Sequence, residues 1–414
     1  MAARYLKRNC VFHILDGIFF FAALTILSRQ VLIPQMIAEL TDSELLLGLV
    51  PLVFSLGILV PQAFHAKNVE GLPYKKRRVL LCACIQRVGW LLLLLSMFFF
   101  WRTPHSLVVL FVALGLSALG SGLIIPVWTD WFAKTTPDGL WGKLLGARRA
   151  MAGPLGIAAG LFLIPPVMTH FPAPARYRIL TGIAIGFYAL SVLMVAMVKE
   201  DEQPGLPNHR ATPWGDYFKD LARILFRRRD FRRFMIASQL LGVPVVVMMT
   251  FLAKYGLTWE PADDAVSGTF TLFFFGASGL GGLVGGVFSD RAGPVPVLRV
   301  LPGVVIASAG LACISQHTAV VSGAFALLGF AFGALLVVRL PAVFLYAGPE
   351  RRPSYAAVSF MFLGLGNALT PVTAGALLDA GLLTFRGMFV ACAVLAAAGS
   401  AVFFTVARPR PHAT

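Results

Sequence analysis

Gly285-Gly286-Val287-Phe288-Ser289-Asp290-Arg291-Ala292-Gly293 closes an apolar run rich in small residues, among them Gly276, Ala277, Ser278, Gly279, Gly281 and Gly282. The run passes directly into an acid, a base and a glycine, the pattern of a membrane helix that ends at water. Gly286 and Asp290 stand four apart and so share a helix face, where the missing side chain would let a neighbouring helix lie close to the carboxylate. The same residues would also serve as a plain stop signal at a helix end.

The rest of the chain agrees with a membrane setting. Of its 414 residues 58% are hydrophobic and 13% charged, with a mean hydropathy of +0.79. A soluble protein would carry about twice that charge fraction. Apolar runs of about 20 residues recur without alternation of polar and apolar positions, so the spans are helices and a membrane barrel is excluded. The formal net charge of +16 does not indicate nucleic acid, because the basic residues lie between apolar runs with no basic and aromatic module beside them. Cys10, Cys82, Cys84, Cys313 and Cys392 lack metal-ligand spacing and are expected to be thiols. No metal or other cofactor is expected. The basic start with Arg4, Lys7 and Arg8 is expected to lead into a retained first span rather than a cleaved signal.

Hydropathy and breakers predict about twelve spans near 11–36, 43–66, 78–101, 105–132, 146–169, 178–199, 232–256, 265–288, 297–316, 318–347, 354–378 and 384–407. Alternate connecting segments hold 27 and 5 of the Lys and Arg residues, with Arg29, Arg87 and Arg339 inside spans. The positive-inside rule therefore puts both termini in the cytoplasm. The longest polar stretch separates two six-span halves, residues 1–199 and 232–414. It makes residues 200–231 a cytoplasmic linker in which 214–226 has the spacing of a surface helix. A shift of 222 residues lays Asn68-Val69-Glu70-Gly71 onto Asp290-Arg291-Ala292-Gly293, and a shift of 212 matches Pro137 with Pro349, a weak parallel repeat.

With repeat, linker and loop in hand, the spacing of Gly286, Asp290, Arg291 and Gly293 resembles the cytoplasmic loop motif of the major facilitator superfamily, with Arg299 as the remaining basic residue after Pro294-Val295-Pro296. The resemblance implies an all-α polytopic fold of two pseudo-symmetric six-helix halves and a secondary transporter that works by alternating access. It also implies gating charges. Asp290 would form a clasp with Arg339, and Asp130 a degenerate second clasp with Arg77, Arg78 or Arg148. By the same resemblance the polar opening Asp16-Gly17 of the first span would carry a proton. The partners implied are the lipid bilayer of the inner membrane, a small solute and a proton, with the protein acting as a monomer.

Ionisable groups inside spans are costly and become candidates by that fact. Asp16 would face a cavity and carry a proton, or would reach cytoplasmic water or pair with a basic neighbour. Arg29 would snorkel outward, whereas Gln30, about 40° from Asp16 on a continuous helix, would share its cavity. Arg339 is open to a clasp or to an anionic substrate. Arg87 would snorkel or pair. Gln239, beside the Gly242-Val243-Pro244 kink, and Asn367 are uncharged cavity candidates. No G-x4-G-K-[ST] phosphate loop occurs, so a pump would need a separate ATPase. The alternatives are a polytopic enzyme or lipid-handling protein, whose best cluster would be Trp128-Thr129-Asp130-Trp131 with His13 and His65, and a sensor that kept the fold without transport.

Overall fold

A computed structural model describes residues 5–69, 74–136, 141–201, 215, 219, 223–226, 228–258, 265–347 and 352–406. Most of the linker and its surface helix, together with Gly71, Pro137 and Pro349 of the repeat, lie outside the described residues. The described residues are helical, with no strand among them, and twelve helices are long and apolar enough to cross a membrane. In chain order the helices are α1 (Leu6–Ile26), α2 (Leu32–Ala38), α3 (Glu44–Val69), α4 (Lys76–Phe99), α5 (Ser106–Thr135), α6 (Trp141–Ala150), α7 (Ala152–Ala158) and α8 (Ile164–His170). They continue with α9 (Ala175–Met197), α10 (Arg229–Leu257), α11 (Val266–Ala292), α12 (Pro294–Ile314), α13 (Thr318–Phe344), α14 (Arg352–Asp379) and α15 (Phe385–Thr405).

Two spans depart from their predicted form. Hydropathy predicts an unbroken first span over 11–36, but α1 ends at Ile26 and the short α2 begins at Leu32. Pro34 explains the interruption: it has no N–H to give the Gln30 carbonyl, and it sits instead in the first turn of α2, where that donor has no helical partner anyway. The angular relation between Asp16 and Gln30 therefore does not hold, since the helix that would have carried it stops between them. The fifth span is a succession of α6, α7, a π-helical turn at Ala159–Leu163 and α8. Pro165 and Pro166 follow that turn after Ile164, and their missing donors leave the carbonyls of Leu161 and Phe162 without α-helical bonds.

The chain forms two compact units. One holds Met1–Ser28 with Val53–Ala211, the other Arg29–Leu52 with Thr212–Thr414, so α3 contributes its first turns to the second unit and the remainder to the first. In the first unit Val79, Cys82, Val127, Trp131, Val195 and Val198 make a buried cluster. Glu200 seals its base. The carboxylate is fully buried, accepts the Lys75 and Lys76 backbone N–H groups at 2.9 and 2.7 Å, and pairs with Lys134 at 2.8 Å. It thereby satisfies orphan donors at the start of α4.

In the second unit α11 and α13 meet backbone to backbone. A Cβ on Gly333 would lie 1.9 Å from the Ser278 carbonyl oxygen, one on Gly329 2.2 Å from that of Phe274, and one on Gly281 2.0 Å from that of Phe330. Small residues let membrane helices gain van der Waals contact at this range. The sequence predicts the close approach at Gly286, beside Asp290, but a Cβ there would meet Val337 at an ordinary 3.5 Å. The close contact falls earlier on the helix. Gly293 has φ +86°, a conformation that suits glycine, and closes the end of α11 by donating its N–H to the Ser289 carbonyl at 2.9 Å. Pro294 then opens α12 at a position that needs no donor, so the Pro294-Val295-Pro296 insertion is a helix start.

Candidate functional site

Residues 13, 16, 17 and 20 fall on neighbouring positions of successive turns of α1. Asp16 and Arg148 are almost wholly buried, 3% and 6% exposed. They form an ion pair at 2.7 Å between Oδ2 and Nη1. Gly17 makes this contact possible: a Cβ at that position would stand 2.6 Å from Arg148 Cγ and 2.8 Å from its Cβ. Arg148 also donates to the His13 carbonyl and lies 4.9 Å from the Trp128 ring centroid. The second oxygen of Asp16 accepts the Ser191 hydroxyl at 2.6 Å. Ser191 accepts in turn from Arg87 Nη2 at 3.1 Å. A chain of polar contacts thus runs from Arg148 through Asp16 and Ser191 to Arg87.

Arg87 further donates to the Ala83 carbonyl at 3.3 Å and to the Gln86 side-chain oxygen, and lies 5.0 Å from the Tyr188 ring centroid. Gln86 is itself held by donation to Ser121 Oγ at 2.6 Å. These groups border a cavity of about 390 Å³ lined by Asp16, Arg87, Arg148, Phe20, Phe21 and Trp128 together with aliphatic neighbours. His13 stays outside it, buried, with Nε2 hydrogen-bonded to Thr135 Oγ1 at 3.0 Å and its ring edge-on to Trp131 and Phe132.

The other sequence candidates fall elsewhere. Gln239 and Asn367 come together, with Gln239 Nε2 donating to Asn367 Oδ1 at 3.0 Å, and Gly366 leaves room for the Gln239 amide. Arg29 and Gln30 lie in the turn between α1 and α2, where Gln30 is buried. Arg339 is half-buried on α13 and makes no hydrogen bond or ion pair among the described residues. Asp290 and Arg291 are exposed at the end of α11, and no ion pair joins Asp290 to Arg339. Asp130 pairs with Lys75, not with Arg77, Arg78 or Arg148. Arg77 and Arg78 are exposed at the start of α4, and Arg148 is taken by Asp16.

Ser191 escapes sequence reasoning, Arg87 reads there only as a snorkelling or paired residue, and Arg148 counts as a loop cation. The signal for Arg148 is its position a few residues into the fifth span; for Arg87 it is a charge near the middle of an apolar run. A second polar cluster, in the second unit, is not legible either. Lys254 Nζ pairs with Glu44 at 2.7 Å and donates to the Asp42 carbonyl at 3.0 Å, beside Asp379.

Twelve helices are long and apolar enough to cross a membrane, and a small charged cavity lies among those of the first unit. The chain belongs to the Major Facilitator Superfamily, whose family model matches residues 17–301 and 262–414. Solved structures share its fold across nearly their full length. The D-xylose-proton symporter superposes with a TM-score of 0.74 at 12% identity, covering 99% of this chain and 100% of that one. A variant of the nucleoside transporter NupG gives 0.73 at 14% identity, covering 97% and 99%. An auto-inhibited POT family peptide transporter gives 0.71 at 14% identity, covering 98% of each. No curated protein matches the sequence.

Proposed function

We propose that this protein is a secondary active transporter that carries a small solute across the cytoplasmic membrane by alternating access, with Asp16 as the proton-coupling carboxylate. The observation that carries the reading is the buried Asp16–Arg148 pair bordering a cavity. Removing one partner of a buried ion pair costs about 3–5 kcal/mol. A proton arriving on Asp16 therefore frees Arg148 at a cost that a bound solute can offset, which links the two binding events. The D-xylose-proton symporter, which shares the fold, is a proton symporter by name, and this supports a proton gradient as the energy source. The excess of basic residues on one set of connections supports cytoplasmic termini. A single chain contains both the cavity and the helices around it, and we take the monomer as the working unit. Asp290 with Arg339, and Asp130 with Lys75, are the gating pairs of this proposal, the first of them engaged when the cytoplasmic side is closed.

Proteoliposomes supplied with a panel of labelled solutes test the reading. Accumulation should require a proton gradient, and Asp16→Asn should abolish it while counterflow exchange persists, since exchange needs alternation but no net proton movement. Loss of both activities in a folded Asp16→Asn variant would assign Asp16 a structural role. Absence of any flux in the wild type across the panel would sink the transport reading.

A further inference from the structure

We propose that the cavity of the first unit binds a small organic anion, a carboxylate, phosphate or sulfonate on an apolar body, with Arg87 as the cation that anchors it. The charges lining the cavity are two guanidiniums and one carboxylate. Both oxygens of that carboxylate are engaged, Oδ2 by Arg148 and Oδ1 by Ser191. Ser191 stands between Asp16 and Arg87, so Arg87 is left with neutral partners only: a serine oxygen, a backbone carbonyl and the Gln86 amide. Its Nε is buried and has no hydrogen-bond partner. Arg87 also sits near the midpoint of α4, where a side chain on a membrane helix is far from either aqueous surface.

A charge at such depth requires an opposite charge or hydration. Amide and aromatic neighbours orient a guanidinium without cancelling its charge. An anion entering the cavity would face the Arg87 guanidinium and bring the formal charge of the cluster from +1 to zero. A cationic ligand would raise it, and a neutral one would leave it unchanged. The apolar part of the ligand follows from the other walls, where Phe20, Phe21 and Trp128 line the cavity. A volume of about 390 Å³ admits a compact molecule of one or two rings. The site stands on this geometry alone, and the transport reading enters only in making the anion a cargo.

Equilibrium binding to the purified full chain in detergent, followed by calorimetry, tests the site with benzoate, phenyl phosphate and benzenesulfonate against benzamide and benzyl alcohol. At least one anion should bind saturably and about tenfold or more tighter than the neutral compounds. Arg87→Gln should weaken that binding by about tenfold or more, and Arg87→Lys, which keeps the charge, should restore part of it. Equal affinity for anions and neutral compounds, no saturable anion binding, or an unchanged affinity in Arg87→Gln would each overturn the proposal. The comparison of anion with neutral compound needs only the wild type, so a variant that fails to fold does not remove the test. Anion binding without flux in liposomes would count against transport and leave the site standing. Flux of neutral solutes without anion binding would do the reverse.

Discussion

Asp379 caps the helix that begins at Glu44. Its Oδ1 accepts the Glu44 N–H at 2.6 Å, and its Oδ2 accepts the Leu45 N–H at 3.0 Å and the Ser43 hydroxyl at 2.6 Å. Residues more than 330 positions apart thus share one helix terminus, with Lys254 neutralising Glu44 beside it. Glycines permit the approach, since a Cβ on Gly48 would lie 2.3 Å from the Pro371 carbonyl oxygen and one on Gly375 2.3 Å from that of Glu44.

Asp379→Ala should cost about 0.5–2 kcal/mol, the range for loss of an N-terminal cap. Lys254→Met should cost more, because it leaves the buried Glu44 carboxylate without its cation. Thermal unfolding in detergent reads both, and an unchanged Tm in Lys254→Met would show that Lys254 contributes little beyond its apolar stem.

Gly17→Ala should mimic loss of Asp16. The new methyl carbon would collide with Arg148, so the guanidinium must leave the carboxylate for the helix to keep its place. Gradient-driven flux should fall toward that of Asp16→Asn, whereas Gly182→Ala, with open space at its Cβ position, should leave flux intact. Wild-type flux in Gly17→Ala would show that the ion pair is dispensable.

Glu200→Gln should destabilise the first unit by about 1–3 kcal/mol, since it removes the charge that Lys134 and the first amides of α4 share. The expected result is a lower Tm with unchanged substrate affinity in the surviving folded fraction. A changed affinity at unchanged Tm would move Glu200 out of the scaffold and toward the site.

Asp290→Asn should shift the balance between conformations by about tenfold for each 1.4 kcal/mol of stabilisation removed, visible as altered alkylation of cysteines placed in the cytoplasmic half of the cavity. Arg339→Gln should move the same cysteines in the same direction if the two residues meet in the other state. A lower substrate affinity with unchanged alkylation would assign Arg339 to binding.

Cysteines introduced at Gly71, Asn208 and Pro349 should react only with reagent supplied from the cytoplasm, and those at Asp42 and Asp263 only from outside. Outside labelling at Asn208 would overturn the orientation and the division around the linker together.

The fold is legible because hydrocarbon leaves the backbone few options: long apolar runs with basic connections can only be helices, and counting them reaches twelve. Boundaries fail where single prolines act, at Pro34 and at Pro165-Pro166, because hydropathy averages over the missing donors. The site is half legible. Asp16 stands out as a carboxylate in a span, but its partner cannot be assigned from spacing, since Arg148 lies 132 residues away and its approach depends on the absent side chain of Gly17. Asp130 is matched to the wrong cation for a related reason: Lys75, Arg77 and Arg78 are near neighbours in sequence, and only the helix start at Lys76 decides which of them faces it.

The backbone contact between α11 and α13 also supplies a yardstick. Helices that meet at Gly281, Gly329 and Gly333 have no side-chain cushion in which to slide at that level, so probes attached beside these glycines, away from the end that carries Asp290 and Arg339, should keep one separation through turnover. Spectroscopic distances measured elsewhere in the molecule can be compared with that pair, and a change in it during turnover would show that the two helices do slide.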